Sequence, residues 1–413
     1  RSIWVTGVQT CALPISDLMI AHLYDQLTQQ QLSQEFQALG TAADGHVSWI
    51  AGLYYFEESG DNLNRLEFRP AILKSGGAYQ TQSWAVFSQA TLDVTERLAF
   101  TLGLRYTEEE KEFTPDQSVL AVNVPPFILP LPPGTPLLPS TTERISADQW
   151  TPLLSASFDW TKGLMTYVSY SEGFKSGGFT QRVFPPEPSI PTFEPEFVQV
   201  YELGFKWTGA GKRLRVNGAA FHTQYDDLQV LTANLTRVGP FIANAAGATI
   251  EGFELEIAAI PADAWQMQLG IGYLDPRYER IAENALEIST DHRFRRISDW
   301  TLSGSISRDV ALAASTLSPR LDWSYRSSFY NDAANTLQLR TSGYHLLNAG
   351  ISWQRHSNGL TVAASVENLL DERSLLNGFL QPNFGIIESL YDRGRQWRVT
   401  GSEEHTSELQ SPI

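Results

Sequence analysis

Two groups of acidic residues are the strongest candidates for acid–base chemistry in this sequence. Glu108, Glu109 and Glu110 are consecutive, and Asp226 is followed by Asp227. Paired carboxylates act as a general acid and base when burial raises one of their pKa values. Both groups stand where an alternation of apolar and polar residues passes into polar sequence, so solvated charge is the simpler interpretation. The nucleophile-elbow, phosphate-loop and zinc-protease motifs do not occur, and we predict that the chain is not an enzyme.

The residue types that bind metals are few and scattered. Cys11 is the only cysteine, which excludes a disulfide framework and a cysteine-based metal site. The sequence holds 7 histidines, and none stands at a ligand spacing from another: His22, His46, His222, His292, His345, His356 and His405. We therefore expect no resident metal and no cofactor.

Four cationic residues stand in polar segments between the strand patterns described below. They are Arg69, Lys74, Lys175 and Arg182. Arginine and lysine in exposed loops can bind an anionic ligand, and we predict these four as candidate ligand-binding residues. The simpler interpretation of each one is a solvated loop charge.

Composition narrows the class of protein. The 413 residues contain 30 Lys and Arg against 46 Asp and Glu, a formal net charge of −16. The sequence has no basic stripe, so we expect no nucleic-acid partner. Charged residues make up only 18% and aromatic residues 11%, which is not typical of a disordered chain. No apolar run approaches the roughly 20 residues of a membrane-spanning helix.

The interior of the sequence alternates apolar and polar residues with a period of two. Leu98, Phe100, Leu102, Leu104 and Tyr106 form one such series. Side chains alternate between the two faces of a β-strand, so this pattern predicts a strand with one apolar face. The same period recurs at residues 150–160, 265–273 and 317–325. No long segment has a helical period, and we predict an all-β fold.

Short turns and long connections alternate along the chain, with about fifteen strands between them. The predicted strands are residues 32–39, 46–57, 79–93, 97–109, 147–160, 164–173, 197–208, 212–228, 248–260, 264–276, 297–308, 314–327, 344–355, 360–370 and 394–400. The predicted long loops are residues 59–78, 108–146, 174–196, 230–247, 277–295, 328–343 and 371–392. This alternation is typical of a transmembrane up-and-down antiparallel β-barrel. Tryptophans near both ends of the strands agree with two interfacial belts.

The two ends of the chain do not share the sequence pattern of the interior. We predict that residues 1–16 and 402–413 are foreign, adapter-derived sequence, and that residues 17–401 are part of a β-barrel. An odd number of strands does not close a bacterial barrel of the usual even-stranded kind. We therefore expect further sequence before Asp17.

Several short strings resemble the mid-barrel of TonB-dependent receptors. They include Trp49–Phe56, Tyr170–Phe179, Tyr201–Lys206, Gly252–Glu256 and Glu367–Glu372. The resemblance covers nearly all of residues 32–400, and it implies a barrel of about 22 strands around an N-terminal plug. About fifteen strands would be present here.

The resemblance also implies a function. A receptor of this family would lie in the outer membrane of a Gram-negative bacterium and take up a scarce nutrient, with a ferric siderophore the expected ligand. Its partners would be the TonB complex, through an N-terminal region outside this chain, and the lipid of the outer membrane. Cobalamin, oligosaccharide and haem stay open as ligands.

Two other functions fit parts of the pattern. A passive outer-membrane channel would share the alternating strands and unequal connections, but it would have no plug. A soluble β-rich carbohydrate-active enzyme would need a carboxylate pair in a cleft and a polar exterior.

Overall fold

The computed structural model is almost entirely β-structure. It describes residues 2–11, 21–68, 70–232, 241–282, 285, 288–381 and 386–402. Three 3₁₀ turns, Ala43–Gly45, Ala210–Lys212 and Leu337–Leu339, are the only helical elements in these ranges. None of them has the length or hydrophobicity of a membrane-spanning helix.

The strands are β1 (Ser2–Cys11), β2 (Ala21–Ala42), β3 (Val47–Phe68), β4 (Ala71–Asp93), β5 (Leu98–Pro115), β6 (Ser118–Val122), β7 (Glu143–Thr161), β8 (Leu164–Lys175), β9 (Gly178–Phe179), β10 (Thr192–Phe193), β11 (Glu196–Gly209), β12 (Leu214–Thr232), β13 (Phe241–Ala259), β14 (Trp265–Ile281), β15 (Trp300–Arg308), β16 (Val310–Leu312), β17 (Ser315–Arg326), β18 (Phe329–Tyr330), β19 (Arg340–Thr341), β20 (Tyr344–Arg355), β21 (Thr361–Glu367), β22 (Leu375–Gln381), β23 (Ile386–Tyr391) and β24 (Gln396–Ser402).

Eighteen of the described strands form one antiparallel sheet in which long strands pair with their neighbours along the chain. The pairs β9–β10, β18–β19 and β22–β23 form separate two-stranded sheets. The prediction of an all-β, up-and-down antiparallel fold is confirmed, and every predicted strand is present. Strand β1 falls in the stretch predicted to be foreign and pairs with β2. That the two ends are foreign stays a prediction, and most of the 402–413 tail lies outside the described residues.

The connections at the two ends of the sheet differ in length. At one end, here called the short-turn end, strands are joined by tight turns such as Ala43–Gly45, residues 162–163 and Ala210–Lys212. At the other end, here called the loop end, residues 116–142, 176–195 and 282–299 are among the connections. The predicted alternation of short and long connections is therefore present in the sheet.

One predicted loop is wrong. Residues 59–78 are not a loop, because β3 and β4 continue as a paired hairpin from Val47↔Leu92 to Phe68↔Ala71. The polar composition of this segment predicts a loop from the sequence alone. In the structure Gly76 sits in the hairpin with a φ of +121°, where a side chain would collide with the Asn62 carbonyl. β12 and β13 also extend well into the predicted loop 230–247.

One face of the sheet is apolar, and its large side chains are exposed. Leu53, Leu102 and Leu203 are 58%, 60% and 58% exposed. Ladder pairs such as Leu102↔Leu154 and Leu203↔Ala220 keep the apolar side chains on the same side across successive strands. A contiguous exposed apolar surface of this extent indicates contact with lipid, so we call it the apolar face.

The opposite face carries the charged and small side chains, and we call it the polar face. Arg105 lies there beside the rings of Tyr54 and Phe87, with its guanidinium carbon 5.6 and 5.5 Å from their centroids. Arg320 and Asp322 lie farther along the same face and form an ion pair at 2.6 Å. Polar groups on one face only are typical of a wall between lipid and a hydrated interior.

Aromatic rings border the apolar face at both ends. Toward the loop end, Trp84, Tyr106 and Trp150 form a row with centroids 5.4 and 4.9 Å apart. Trp160 stands about ten residues farther along the same strand as Trp150, beside a short turn. That interval matches the roughly 9–11 residues with which a tilted strand spans a bilayer. The part of β3 beyond Tyr55 then extends about 40 Å past the loop-end row.

Candidate ligand-binding surface at the loop end

The loop end contains the buried apolar clusters of the described chain. In the first, Phe68, Ala71 and Leu73 of the β3–β4 hairpin pack against Leu137 and Phe184. The Phe68 and Phe184 rings meet edge-on, with centroids 5.7 Å apart. A neighbouring cluster joins Phe113, Leu138, Val183 and Ile190. The described parts of residues 60–77, 113–142 and 176–195 therefore form one packed unit, which we call the first cap.

A second unit covers the extended ends of β12–β14. Tyr278 stacks on Phe294 with centroids 4.2 Å apart, and Val230 and Ala245 pack in the same cluster. Burial raises the pKa of Tyr278 to about 12, so its hydroxyl stays neutral. The described parts of residues 228–248, 278–299 and 328–341 make up this second cap.

Two side-chain amides join the caps. The Gln229 amide donates to the carbonyl oxygens of Ser176 and Glu194, both at 3.0 Å. The Asn244 amide donates to the Glu194 carbonyl at 2.8 Å and accepts from the Glu194 N–H at 2.7 Å. A bulge beside Leu228 shifts the register of β12 and β13 next to these residues. The segment 176–195 is thus tied to both caps.

The four predicted cations have different surroundings. Arg69 lies outside the described residues. Lys74 is in strand β4 and not in a loop, and its ammonium group lies 2.5 Å from the Asp116 carboxylate. Arg182 is in a loop, where it donates to Asn64 at 3.0 Å and lies 3.7 Å from Asp25.

Lys175 is the last residue of β8, at the loop end. Its side chain is exposed and has no ion pair or hydrogen bond among the described residues. Lys74, Lys175 and Arg182 are therefore all at the loop end, but only Lys175 has a charge without a carboxylate beside it. Ligand binding by these residues stays a prediction.

Lys111 has a structural role that the sequence did not reveal. Its ammonium group donates to Ser176 Oγ at 2.6 Å and to the Gly177 carbonyl at 3.0 Å, and it lies 3.1 Å from Glu109. Lys111 was placed in the predicted loop 108–146, but β5 continues to Pro115. The alternation of Glu109, Lys111 and Phe113 on one face was the signal that could have revealed the longer strand.

The predicted carboxylate groups do not form a catalytic pair. Glu109 lies on the polar face, whereas Glu108 and Glu110 lie on the opposite face because they are its neighbours in a strand. Glu110 lies 3.5 Å from Arg144. Within the ranges that the structure describes, no group of three or more histidine, cysteine, aspartate or glutamate residues could hold a metal ion.

Carboxylates also line the polar face below the caps. Tyr167 donates to Glu202 of β11 at 2.6 Å, and Glu254 and Glu256 stand two strands away, on β13. Glu202, Glu254 and Glu256 have no ion pair in the described part of the chain. The Lys206 ammonium group lies 6.0 Å from the Tyr167 ring centroid and does not pair with them. This part of the interior is thus open to a cationic or hydrogen-bonding partner.

Comparison with known proteins identifies the family. The family model described as TonB dependent receptor-like, beta-barrel matches residues 14–369. A probable TonB-dependent siderophore receptor, PiuA of Acinetobacter baumannii, is 23% identical over 326 residues, which are 75% of this chain and 39% of PiuA. The chain therefore spans well under half the length of this relative.

Solved structures agree in fold. The ferric yersiniabactin uptake receptor FyuA of Yersinia pestis superposes with a TM-score of 0.79 at 21% identity, over 97% of this chain and 57% of FyuA. The crystal structure of PiuA gives a TM-score of 0.66 at 16% identity, over 92% of this chain and 56% of PiuA. The copper transporter OprC gives 0.65 at 14% identity, over 93% of this chain and 58% of OprC.

The family match covers most of the chain, and the apolar face, the aromatic rows and the unequal connections agree with it. The prediction that the chain is not an enzyme is confirmed, and the alternative of a soluble carbohydrate-active enzyme is excluded, because the family consists of transporters. The chain belongs to the TonB-dependent receptor family, and it forms barrel wall and loops of a receptor in the outer membrane of a Gram-negative bacterium.

Proposed function

We propose that this barrel serves the active, TonB-coupled uptake of a ferric siderophore across the outer membrane. PiuA is named a probable siderophore receptor and FyuA a ferric yersiniabactin uptake receptor, which supports this class of ligand. The likeness to the copper transporter OprC supports a wider range of metal ligands on the same fold. The caps at the loop end would receive the ligand.

The proposal rests on three glutamates of the polar face that form no ion pair in the described part of the chain. Glu202 of β11 and Glu254 and Glu256 of β13 lie on the polar face, and no cation of the described residues is within ion-pair distance of them. Glu254 and Glu256 are exposed in this chain. A plug that covered these carboxylates would remove part of their hydration, so they would then need a cationic partner. A plug domain that presents basic side chains to β11–β13 would supply that partner. A passive channel would leave the same carboxylates in water.

In the proposed mechanism the chain contributes wall and capture surface. The two caps hold the ligand at the outer end, joined by Gln229 and Asn244. The TonB complex, acting through a region outside this chain, displaces the plug. The ligand then passes along the polar face, where Arg105 and the Arg320–Asp322 pair line the path.

Uptake of radioactive iron tests this proposal in cells that express the full-length receptor. With a ferric siderophore as the iron source, we expect accumulation in cells with an intact TonB complex and none in cells without TonB. Equal accumulation in both would favour the passive channel. Absence of accumulation with every siderophore tested, in cells whose receptor is correctly assembled, would contradict the ligand class.

A further inference from the structure

The second cap and the adjoining end of β17 carry four arginines that form no ion pair with a carboxylate of the described residues. Arg295, Arg296, Arg326 and Arg340 form no ion pair within the described ranges, whereas the adjacent Arg293 pairs with Asp299. The first cap differs, because Lys74, Lys111 and Arg182 each have a carboxylate within 4 Å. At the loop end, the arginines without an ion pair among the described residues are therefore concentrated at and beside the second cap.

Strand pairing brings two of these arginines to one face. Arg295 forms a parallel bridge with Tyr330, and Tyr330 pairs with Arg340 in the β18–β19 ladder. Paired residues project to the same side of a sheet, so Arg295 and Arg340 flank Tyr330. Their backbones are about 10 Å apart at the usual strand spacing. Side chains as long as arginine can contact a single ligand across that interval.

The other two arginines lie next to the row that Arg295, Tyr330 and Arg340 form. The Arg326 guanidinium donates to the Arg296 carbonyl at 3.1 Å, and its central carbon lies 4.7 Å from the Phe329 ring centroid. The Arg296 N–H donates to the Tyr330 carbonyl at 2.7 Å. The Nε atom of Arg326 is buried and has no hydrogen-bond partner. Of the four arginines, Arg295 and Arg340 thus have their side chains beside Tyr330, whereas the Arg296 guanidinium donates to the Leu376 carbonyl at 3.3 Å and the Arg326 guanidinium lies over Phe329.

The row rests on a rigid base. Phe329 is 3% exposed, and Asn331 and Leu339 are fully buried. The Asn331 side-chain amide donates to the Leu339 carbonyl and to Thr341 Oγ1, both at 2.9 Å. The main-chain carbonyl of Asn331 accepts from Arg295 Nε at 2.7 Å. The guanidinium of Arg295 is therefore held in place by the backbone. Pre-positioned guanidinium groups bind oxyanions at a lower entropic cost.

One carboxylate stands near the row. Burial and the neighbouring Arg296 lower the pKa of Arg295, and the charge of Asp332 opposes that shift. The Asp332 carboxylate accepts from the Thr336 N–H and hydroxyl and forms no ion pair with Arg295 in the described ranges. Arg340 donates to Ser328 Oγ at 2.9 Å, a neutral partner. Neither Asp332 nor Ser328 therefore forms an ion pair with these arginines.

We infer that Arg295, Tyr330 and Arg340, bordered by Arg296 and Arg326, form a binding site for a multiply anionic ferric complex. The inference rests on the proposed uptake function and narrows its ligand from ferric complexes in general to those with net negative charge. The guanidinium groups bind the ligand's oxygens, and the tyrosine ring provides a flat contact for its organic part. A neutral ferric complex does not gain these charge-assisted bonds.

Two iron complexes with six oxygen ligands test the site. Iron(III) bound by three 2,3-dihydroxybenzoate ions is strongly anionic, and iron(III) bound by three acetohydroxamate ions is neutral. Quenching of tryptophan fluorescence in the purified full-length receptor measures both affinities. We expect the wild type to prefer the anionic complex, and R295Q/R340Q to lose about tenfold or more of that affinity. R295K/R340K should retain part of it, because the charge stays while the planar fork is lost.

Arg308 and Arg355 provide a matched control. Each lies beside a tryptophan at the short-turn end, with the guanidinium carbon 5.1 Å from Trp265 and 5.8 Å from Trp353. R308Q/R355Q removes the same charge and should leave both affinities unchanged. Unchanged heat-modifiable mobility on gels shows that each variant barrel is folded.

The outcomes separate the site from the uptake function. If the wild type binds the two complexes equally, or R295Q/R340Q binds the anionic one as the wild type does, the site is wrong while ferric-complex uptake stands. If the wild type binds neither complex and TonB-dependent iron uptake is absent, both are wrong.

Discussion

Apolar side chains are packed in opposite ways in two regions of the molecule. One region is the wall, the part of the large sheet that bears the apolar face, and the other is the pair of caps. In the wall, Leu102 and Leu203 are more than half exposed, and no apolar cluster forms behind them. In the caps, Phe113 and Leu137 are almost completely buried, at 1% and 0% exposure. The difference follows from the solvent, because lipid accepts apolar side chains while water expels them. The wall is therefore stabilised by its strand ladders and the bilayer, and each cap by a small core of its own.

The largest expected effect comes from a charge on the apolar face of the wall. Leu102→Arg should prevent assembly of the receptor, because a charge near the bilayer midplane costs roughly 2–4 kcal/mol. Immunoblotting of outer-membrane fractions, with heat-modifiable mobility as the sign of a folded barrel, measures the effect. The matched variant Thr101→Arg points to the polar face and should assemble. Normal assembly of Leu102→Arg would contradict the assignment of the faces.

Removing a buried side chain from the first cap should act locally. Leu137→Ala is expected to destabilise the cap by about 2–5 kcal/mol, the usual cost of a large-to-small core change. The barrel should stay assembled while proteinase K cleaves residues 116–142 in intact cells. Phe127→Ala, at a side chain that is 86% exposed, should not change cleavage. Loss of assembly in Leu137→Ala would show that wall and cap are not separable.

A smaller effect is expected where one side chain connects loop and wall. Lys111→Met removes the bonds to Ser176 and Gly177, and segment 176–195 should exchange its amide hydrogens roughly tenfold faster. Lys175→Met removes a similar charge that has no partner and should leave exchange unchanged. Equal exchange in the two variants would mean that Lys111 does not hold the segment.

The division into wall and caps also decides what the sequence could predict. The period of two extends through single strands such as residues 98–106, so the wall and its strand order followed from local pattern. The caps depend on contacts between distant segments, such as Phe68 with Phe184. No local pattern encodes such contacts, so the hairpin at 59–78 was interpreted as a loop. For the same reason, the pairing of Arg295 and Arg340 across Tyr330 could not be anticipated.

The smallest expected effect is a pH dependence of the last loop. The Arg395 N–H donates to Asp371 at 2.8 Å, and this bond, with Arg373 and Arg395 nearby, lowers the pKa of Asp371 below its ordinary 3.8. Because the folded pKa lies below the unfolded one, the stabilisation is present above about pH 4 and is lost as the pH falls through the folded value. Pepsin cleavage within 371–395 should therefore increase toward about pH 2. Asp371→Asn should be more readily cleaved throughout and show a weaker dependence, and an unchanged profile would exclude this role.

Single-cysteine labelling tests most directly whether the apolar face lies in lipid and the first cap lies outside the cell. In the full-length receptor with Cys11→Ser, cysteine is placed at Phe127 in the first cap, Leu102 on the apolar face, or Lys212 at the short-turn end. A membrane-impermeant maleimide should label position 127 in intact cells and position 212 only after the outer membrane is opened. Position 102 should resist this reagent in both cases and react with a lipid-soluble maleimide. Labelling of position 102 by the impermeant reagent, or of position 212 in intact cells, would contradict the assignment of wall and caps.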